Sequence, residues 1–295
     1  MAKKTEPIAV VSDIHGNLQA LEAVLQDIDA RGIKRIFDLG DRVGYLGNPK
    51  EVLELAKQRF EESVQGNHEN AVILALAAGG KLKPAGLQTV MGFTSDAAKS
   101  VIQTAKILKR TSKKGKVPNL HTSTEIQIRP DALGVHSYDG RYHLTSNLVE
   151  IVRQLGIPDH LYTHPNEILQ DKKLFRKGIR LVLGGHFHVS QAFITKGSQS
   201  REKSPDKDKV TLRKGEKAFV GVGSVGKARL QDYNFLRQTR ELEVVEQPCL
   251  EAEYVILDGN TIEFPKVLYH YKNALRAVRS AKMPIPKLFE EAKRR

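Results

Sequence analysis

The sequence predicts an α/β fold, because strand patterns and helix patterns alternate along the first part of the chain. Apolar runs over 7–13 and 34–41 have the length of buried strands. Between them, residues 17–32 place leucine, valine and isoleucine at helical spacing and end on a glycine. A second helix pattern over 48–60 begins with Asn-Pro, and 62–70 is a third short strand that runs into polar residues. Alternation of this kind indicates mainly parallel strand pairing.

The second half of the chain is predicted to be rich in strands. Before this strand-rich part, residues 80–125 have an irregular helical pattern. The Asp-Gly-Asn sequence at 258–260 predicts a hairpin turn within the last strand-rich segment. The predicted strand-rich segments are 131–137, 179–188, 190–197, 217–226 and 251–270.

We expect a single domain over 1–295, since the chain shows no linker and its hydrophobic content of 40% suits a large core. The polar segment 196–216 is predicted to be a flexible basic loop within this domain. Deleting 198–214 should therefore leave the fold intact, because polar loop tips tolerate deletion. Residues 276–295 are predicted to form a C-terminal helical tail.

The composition favours a cytoplasmic location without membrane association. The single cysteine, Cys249, excludes an intramolecular disulfide and suits a reducing compartment. The N-terminus carries no apolar signal stretch. The longest apolar run, over 71–80, is too short to span a bilayer.

The formal net charge of +13 allows two interpretations. Basic clusters over 106–116 and 196–217 could form a surface for nucleic acid or another polyanion. Few aromatic side chains lie among them to stack on bases. We favour the other interpretation, in which the excess lysine and arginine side chains are simply solvated. Nucleic acid stays open as a partner.

Polar side chains that can bind metal ions follow several predicted strands. In open α/β sheets such strand ends converge on one crevice, and glycines beside them allow close approach of the backbone. Carboxylate, imidazole and amide groups suit divalent Mn²⁺, Fe²⁺ or Zn²⁺. Each motif alone is more typical of a polar strand end, but their joint occurrence favours a metal site. The side chains are Asp13 and His15, Asp41, Asn67 and His68, and His186 and His188.

The motifs "SDIHGN", "GDRVGY", "GNHEN", "VHS" and "GGHFH" occur in this order along the chain. The series resembles the signature of the calcineurin-like metallophosphoesterase superfamily. "LGDRVGYLGNPKEVLEL" and "FVGVGSVGKAR" are similar to a bacterial and archaeal branch of small phosphodiesterases that carries GDxVGYGxxPxE. The resemblance covers roughly residues 7–275, and the segments 80–125 and 196–216 match poorly.

The resemblance implies a four-layer α/β/β/α sandwich of two mixed β-sheets flanked by helices. It also implies two divalent metal ions bridged by Asp41, with His68 acting as general acid rather than as a metal ligand. Manganese is the favoured ion, and iron, zinc, nickel and cobalt are the alternatives. The implied ligands are Asp13, His15 and His188 for the first ion, and Asn67, His136 and His186 for the second.

His136 is the position that the resemblance implies for the lone histidine of the signature. It ends an apolar strand-like run and precedes a serine. His164, in "LYTHPNEI", is the rival position, although its segment looks like a loop insertion ahead of 179–188. We favour His136.

Two positions depart from the protein serine/threonine phosphatases of the superfamily. Their GDxVDRG and GNHER motifs carry arginines that bind phosphate, whereas this chain has Tyr45 and Asn70 there. Arg42 is the arginine that could reach the site instead. The missing arginine pair argues against a phosphoprotein substrate.

The expected function is therefore a metal-dependent phosphoesterase that hydrolyses phosphodiester, small nucleotide or phosphomonoester substrates by a metal-activated hydroxide. The expected partner is a phosphate-ester small molecule or a nucleotide. A nuclease would reconcile the metal ligands with the positive charge and is one alternative. A polyanion-binding protein with weak phosphatase activity is the other.

Overall fold

The computed structural model describes residues 6–112, 120, 123–136, 169–197, 199–203, 209–226 and 249–284. The helices are α1 (Leu18–Ala30), α2 (Pro49–Arg59), α3 (Asn67–Ala77), α4 (Pro84–Met91), α5 (Ser95–Thr111) and α6 (Tyr271–Ser280). The strands are β1 (Ile8–Val11), β2 (Arg35–Asp38), β3 (Glu62–Ser63), β4 (Glu125–Arg129), β5 (Ala132–His136), β6 (Leu181–Gly185), β7 (Ser190–Lys196), β8 (Gln199–Lys203), β9 (Lys209–Thr211), β10 (Lys217–Val222), β11 (Cys249–Glu253), β12 (Val255–Asp258), β13 (Thr261–Glu263) and β14 (Lys266–His270).

The strands form two mixed six-stranded sheets and a two-stranded ribbon. The first sheet has the order β3-β2-β1-β12-β13-β9, and the second has the order β4-β5-β6-β10-β7-β8. Pairing is parallel within β1, β2 and β3 and within β5, β6 and β10, and antiparallel elsewhere. The ribbon pairs β11 with β14. Helices flank the sheets, so the predicted fold class is confirmed.

Strand β1 contributes side chains to two hydrophobic cores, one on each of its faces. Ile8 and Val10 pack in the inter-sheet core, which contains side chains from both sheets. Ala9 and Val11 pack on the opposite face against α1, α2 and α6. Successive side chains of a strand point to opposite faces, so a strand in the middle layer must be apolar at every position. This is why the sequence before Asp13 contains only apolar residues over Ile8–Val11.

The helix starts follow from local sequence, with one difference from the prediction. The side chain of Asn17 caps α1 by accepting the N–H of Ala20 at 3.2 Å. Pro49 takes the first position of α2, where a missing N–H costs no helical hydrogen bond. Asn67 and His68, expected at the end of a strand, lie instead in the first turn of α3.

Where the structure describes the segment 196–216, it has strands rather than the predicted flexible loop, while 198 and 204–208 lie outside the described residues. Strand β8 pairs with β7 at the edge of the second sheet, and β9 pairs with β13 at the edge of the first sheet. Val210 and Leu212 are each only 2% exposed and belong to the inter-sheet core. The polar composition misled the prediction because edge strands carry many charged side chains on their solvated positions.

Deleting 198–214 should consequently unfold the protein rather than leave it intact. As a milder test, Leu212→Ala should lower the free energy of unfolding by about 2–5 kcal/mol, the usual cost of truncating a buried leucine. Urea denaturation followed by circular dichroism measures this loss. Lys214→Ala, at an exposed position two residues further on, is the matched control and should change stability by less than about 0.5 kcal/mol. Equal stability of the two variants would contradict the structural assignment.

The predicted C-terminal tail is described only in part. Residues 276–280 complete α6, and 285–295 lie outside the described residues. In the part of the chain that the structure covers, no helix combines the length and the apolar character needed to span a bilayer.

Candidate metal centre

The structure brings all the predicted metal ligands together where strands of both sheets end. Asp13 follows β1 and Asp41 follows β2 in the first sheet, while His136 ends β5 and His186 follows β6 in the second. Their side chains form two groups that can each hold a metal ion. The first group is Asp13, His15 and His188, and the second is Asp41, His136 and His186, with Asn67 beside it.

The first group is compact, with Asp13 and His15 buried and His188 half-buried. Nε2 of His15 lies 3.0 Å from Nε2 of His188. Oδ1 of Asp13 lies 3.1 Å from Nε2 of His188 and 3.7 Å from Nε2 of His15. The other oxygen of Asp13, Oδ2, accepts the Ser12 hydroxyl at 2.6 Å and the His186 N–H at 2.8 Å. One carboxylate oxygen is thus anchored by the protein, and the other faces the two imidazoles.

The second group is centred on the side-chain amide of Asn67. Its Oδ1 lies 3.2 Å from Nε2 of His136 and 3.1 Å from Nδ1 of His186. Nε2 of His136 also lies 3.5 Å from Oδ2 of Asp41. An amide oxygen, two imidazoles and a carboxylate therefore point at one small volume.

Asp41 stands between the two groups. Its Oδ2 lies 3.5 Å from Nε2 of His136 in one group and 3.9 Å from Nε2 of His15 in the other. Its Oδ1 accepts the backbone N–H of His68 at 2.8 Å. A Cβ at Gly66 would collide with this oxygen, so a glycine is required where α3 approaches Asp41.

Backbone carbonyls orient two of the histidines. Nδ1 of His15 donates to the carbonyl of Val43 at 3.2 Å, and Nδ1 of His136 donates to the carbonyl of Leu39 at 2.6 Å. Since a carbonyl only accepts hydrogen bonds, these contacts place the proton on Nδ1 and turn Nε2 toward the site. This is the arrangement usual for histidines that bind metal.

The backbone is strained at the same residues. Among the described residues, six that are not glycine have a positive φ, and five of these six are predicted metal ligands. A left-handed conformation costs an ordinary L-residue roughly 1–2 kcal/mol. Such strain persists where the surroundings enforce it and clusters at functional sites. The five ligands are Asp13 (φ 55°), His15 (φ 52°), Asp41 (φ 56°), His186 (φ 81°) and His188 (φ 59°), and the sixth residue is Lys282.

Burial and mutual attraction shift the pKa values of the cluster. Burial raises the pKa of Asp41 to about 6, although the neighbouring His136 opposes the rise. Burial by itself would lower the pKa of His136, but the Asp41 carboxylate outweighs it and raises that pKa to about 9. Burial also opposes the ionisation of Asp13, yet His188 holds its pKa below the usual range. The neighbouring histidines thus stabilise the charge on Asp13, whereas burial disfavours the charge on Asp41.

Glu69 holds in place the loop after β2 that contains Asp41 (the Asp41 loop). The sequence did not predict this role. Its Oε2 accepts the N–H groups of Asp41 at 2.8 Å and Gly66 at 2.9 Å, and its Oε1 accepts the N–H of Arg42 at 2.7 Å. A carboxylate that accepts several N–H groups fixes two loops relative to each other. The available signal was a glutamate in the first turn of a helix, the position of a capping-box residue.

Arg42 does not take the place of the missing arginine clamp. Its Nε lies 3.4 Å from Oδ2 of Asp38 and 3.7 Å from Oε1 of Glu69, and its side chain is almost completely buried. Burial raises the pKa of Asp38 to about 7, although Arg42 opposes the rise. The guanidinium is thus engaged by two buried carboxylates, which are not among the predicted metal ligands.

His68 is surrounded by rings. Its imidazole lies edge-on to His15, with ring centroids 4.6 Å apart, and is tilted against Tyr45 at 4.8 Å. Phe93 stacks on it at 4.9 Å with an angle of 25° between the planes. His68 also forms a third candidate metal group with His15 and Asp41, so geometry alone does not separate it from the ligands.

The segment 223–226, after β10, packs on the loop after β1 that contains Asp13. The N–H groups of Val225 and Gly226 donate to the carbonyls of Ser12 and Asp13, both at 3.0 Å. The Ser224 hydroxyl donates to the Asp13 carbonyl at 2.9 Å. These bonds give the "GVGSVG" sequence a structural role beside the first group.

Divalent cations fit this donor set. Two imidazole nitrogens 3.0 Å apart, such as those of His15 and His188, need a shared proton or a shared cation between them, because their lone pairs otherwise repel. Carboxylate, imidazole and amide donors are the ligands of Mn²⁺, Fe²⁺ and Zn²⁺. His186 and His188 are half-buried, so the site is accessible from solvent on this side. The rival histidine, His164, lies outside the described residues.

Comparisons with known proteins find a matching family profile, a relative and similar folds. The profile of the calcineurin-like phosphoesterase family matches residues 6–190. An uncharacterised protein of Methanocaldococcus jannaschii is 29% identical over 279 residues, which are 94% of this chain and 93% of the relative. The crystal structure of a metallophosphoesterase from Sphaerobacter thermophilus has a TM-score of 0.62 and 22% identity, over 96% of this chain and 98% of that chain. A hypothetical protein from Pyrococcus horikoshii OT3 has a TM-score of 0.57 and 15% identity, over 96% of each chain. These two structures share the fold.

Proposed function

Because the chain belongs to the calcineurin-like phosphoesterase family, whose members are hydrolases of phosphoester bonds, we propose that it is a dinuclear metal-dependent enzyme for phosphodiesters or small nucleotides. The observation that carries the dinuclear proposal is the position of Asp41. One of its oxygens faces His15 in the first group and His136 in the second. A single anionic side chain between two sets of neutral and acidic donors is what a pair of adjacent cations requires.

Calcineurin-like phosphoesterases use divalent metal ions, and manganese is our proposed ion for this chain. When bound, such ions lower the pKa of a water and neutralise charge on the phosphoryl oxygens. Asp13, His15 and His188 would hold one ion, and Asn67, His136 and His186 the other. Asp13 and Asp41 supply the negative charge that offsets the cations. Ser12, Val43 and Leu39 keep the ligands oriented through the hydrogen bonds described above.

His68 is proposed to donate a proton to the leaving oxygen. The backbone of Gly44 packs against its Nδ1 so closely that a Cβ at that glycine would collide with it. Nε2 is therefore the ring nitrogen that we assign to the leaving group. As the bond between phosphorus and the leaving oxygen breaks, the proton moves from Nε2 to that oxygen, and the product leaves as a neutral alcohol.

Two residues support a substrate other than a phosphoprotein. Asn70 is fully buried, and its Oδ1 accepts a hydrogen bond from Gln65 at 2.5 Å, so it does not reach toward a phosphate. Tyr45 packs edge-on against His15, with ring centroids 4.9 Å apart. Together with the buried position of Arg42, these contacts support a site that, among the described residues, lacks the arginine pair of protein phosphatases.

A substrate panel tests this proposal. We expect the enzyme with Mn²⁺ to hydrolyse bis(4-nitrophenyl) phosphate and a dinucleotide with a higher kcat/KM than a phosphoserine peptide. A chelator should abolish the activity, and added Mn²⁺ should restore it. Preference for the phosphopeptide, or full activity in the chelator, would contradict the proposal.

A nuclease is the second candidate, and the net charge of +13 favours it. Plasmid DNA belongs in the same panel for this reason. A nuclease should cut the plasmid with Mn²⁺, and its affinity should fall steeply as salt rises, because binding releases counterions from the phosphate backbone. A polyanion-binding protein would bind the plasmid with the same salt dependence but leave it uncut.

We also propose that the chain acts as a single-domain cytoplasmic enzyme. The lone cysteine supports the reducing compartment. The strands β12 and β13, far along the chain, complete the same sheet as β1 and β2, which supports one domain. Fractionation of the source cells tests the location.

A further inference from the structure

The connection between α4 and α5 is only three residues long, 92–94. Gly92 ends α4 with a left-handed backbone, φ 63°, and its N–H donates to the carbonyl of Gln88. Thr94 begins α5, and its hydroxyl accepts the N–H of Ala97 at 3.3 Å. A glycine after one helix and a threonine before the next are the standard end signals. Phe93 is the one residue between them, and neither signal explains its large aromatic side chain.

Phe93 links the α4–α5 helix pair to the candidate site. It packs against the apolar cluster that α3, α4 and α5 share. Its ring also stacks on His68, with centroids 4.9 Å apart and planes inclined by 25°. Offset stacking at this separation is a favourable arrangement for two aromatic rings.

The remaining sides of the His68 ring are closely packed. The backbone of Gly44 lies against Nδ1, Tyr45 covers another side, and His15 meets the ring edge-on. The backbone N–H of His68 donates to Oδ1 of Asp41 at 2.8 Å, which fixes the residue at its main chain. Rotation of the imidazole is thus limited on one face by Phe93, the contact that the α4–α5 connection supplies.

We propose that Phe93 is a positioning residue, which holds the imidazole of His68 in the orientation for proton donation. The inference rests on the proposed function, because it assigns Phe93 to the step that His68 performs there. It makes the α4–α5 connection part of the catalytic apparatus, although this segment is one of the two that match the superfamily poorly. Phe93 acts through His68 and need not touch the substrate.

The test compares two substitutions on two substrates. Phe93→Leu keeps apolar volume but removes the ring, and Phe93→Tyr keeps the ring. With a dinucleotide, whose leaving group is an alkoxide, we expect Phe93→Leu to lower kcat about 10- to 100-fold, because a small misplacement of a catalytic group has effects of this size. With bis(4-nitrophenyl) phosphate, whose leaving group needs little protonation, the loss should stay below about twofold. Phe93→Tyr should behave as the wild type on both.

A control variant separates positioning from loss of stability. Val90→Ala removes apolar volume from the same cluster of α3, α4 and α5. It should lower the melting temperature but affect both substrates alike. In a His68→Asn background, Phe93→Leu should add no further selective loss, since residues that act through one group are not additive. Equal losses of Phe93→Leu on both substrates, or a selective loss that persists in that background, would overturn the proposal.

A spectroscopic readout is independent of activity. The protons on the His68 ring should move upfield in the NMR spectrum because they lie over the Phe93 ring, and the shift should vanish in Phe93→Leu but persist in Phe93→Tyr. Absence of the shift in the wild type would overturn the contact itself. Failure of the wild type to hydrolyse any phosphoester would overturn the proposed function instead, with the ring contact still visible.

Discussion

Asp41→Asn should abolish the binding of metal at both groups at once. The wild-type protein is expected to hold two divalent ions per chain at saturation. In the variant we expect the affinity for both ions to fall by a hundredfold or more, since even residues behind the ligands contribute roughly 10–100-fold. Phosphodiester hydrolysis should fall by at least the same factor. Metal content measured by mass spectrometry, together with titration calorimetry using Mn²⁺, gives both numbers.

The physical reason is the shared charge. Oδ2 of Asp41 is within 4 Å of His136 and of His15, so its negative charge acts on both groups. Asparagine has nearly the same shape, and its oxygen can still accept the N–H of His68 in place of Oδ1. The substitution therefore removes charge while leaving the loop in place. Without the negative charge of Asp41, two cations would face each other across a neutral amide.

Asp96→Asn is the matched control, because Asp96 lies on the exposed side of α5 and forms a surface ion pair with Lys99. It loses the same charge and should retain both ions and full activity. One ion per chain in the saturated wild type would contradict the dinuclear centre. Loss of only one ion in Asp41→Asn would show that Asp41 binds a single ion and does not bridge.

The residue pattern was sufficient to predict an α/β fold and the place where the polar strand ends meet, whereas the two-sheet sandwich was implied by the resemblance to the superfamily. Strand β1 is apolar at every position because both its faces pack against other elements, and polar residues begin directly after the strand ends. The same change from apolar to polar occurs after β2 and β6. Because parallel strands end at the same edge of a sheet, local sequence is enough to place these side chains near one another.

Contacts between distant segments could not be predicted in the same way. Phe93 and His68 are far apart in sequence, and nothing around Phe93 indicates which ring it will meet. The sequence did not predict strands β8 and β9 for another reason. Their strand conformation depends on pairing with β7 and β13 more than on their own polar sequence. The positive φ of Asp13 and Asp41 is likewise imposed by the hydrogen bonds that join their two loops.

His68→Asn should damage the enzyme selectively, according to the leaving group. With a dinucleotide, which releases an alkoxide, we expect kcat to fall by about 10²–10⁴-fold, the usual contribution of a general acid. With bis(4-nitrophenyl) phosphate the loss should be far smaller, because nitrophenolate leaves readily without a proton. Metal content should stay at the wild-type level, since asparagine still offers its backbone N–H to Asp41.

This comparison also decides between two roles that the geometry of His68 permits. His68 lies in a group with His15 and Asp41 whose atoms are close enough to hold an ion, so a ligand role predicts loss of metal in the variant. A role in orienting the phosphate predicts equal losses on both substrates. Only a proton donor predicts retained metal together with a loss that depends on the leaving group. In each of these roles Nε2 is the ring nitrogen that acts, because the backbone of Gly44 packs against Nδ1 of His68.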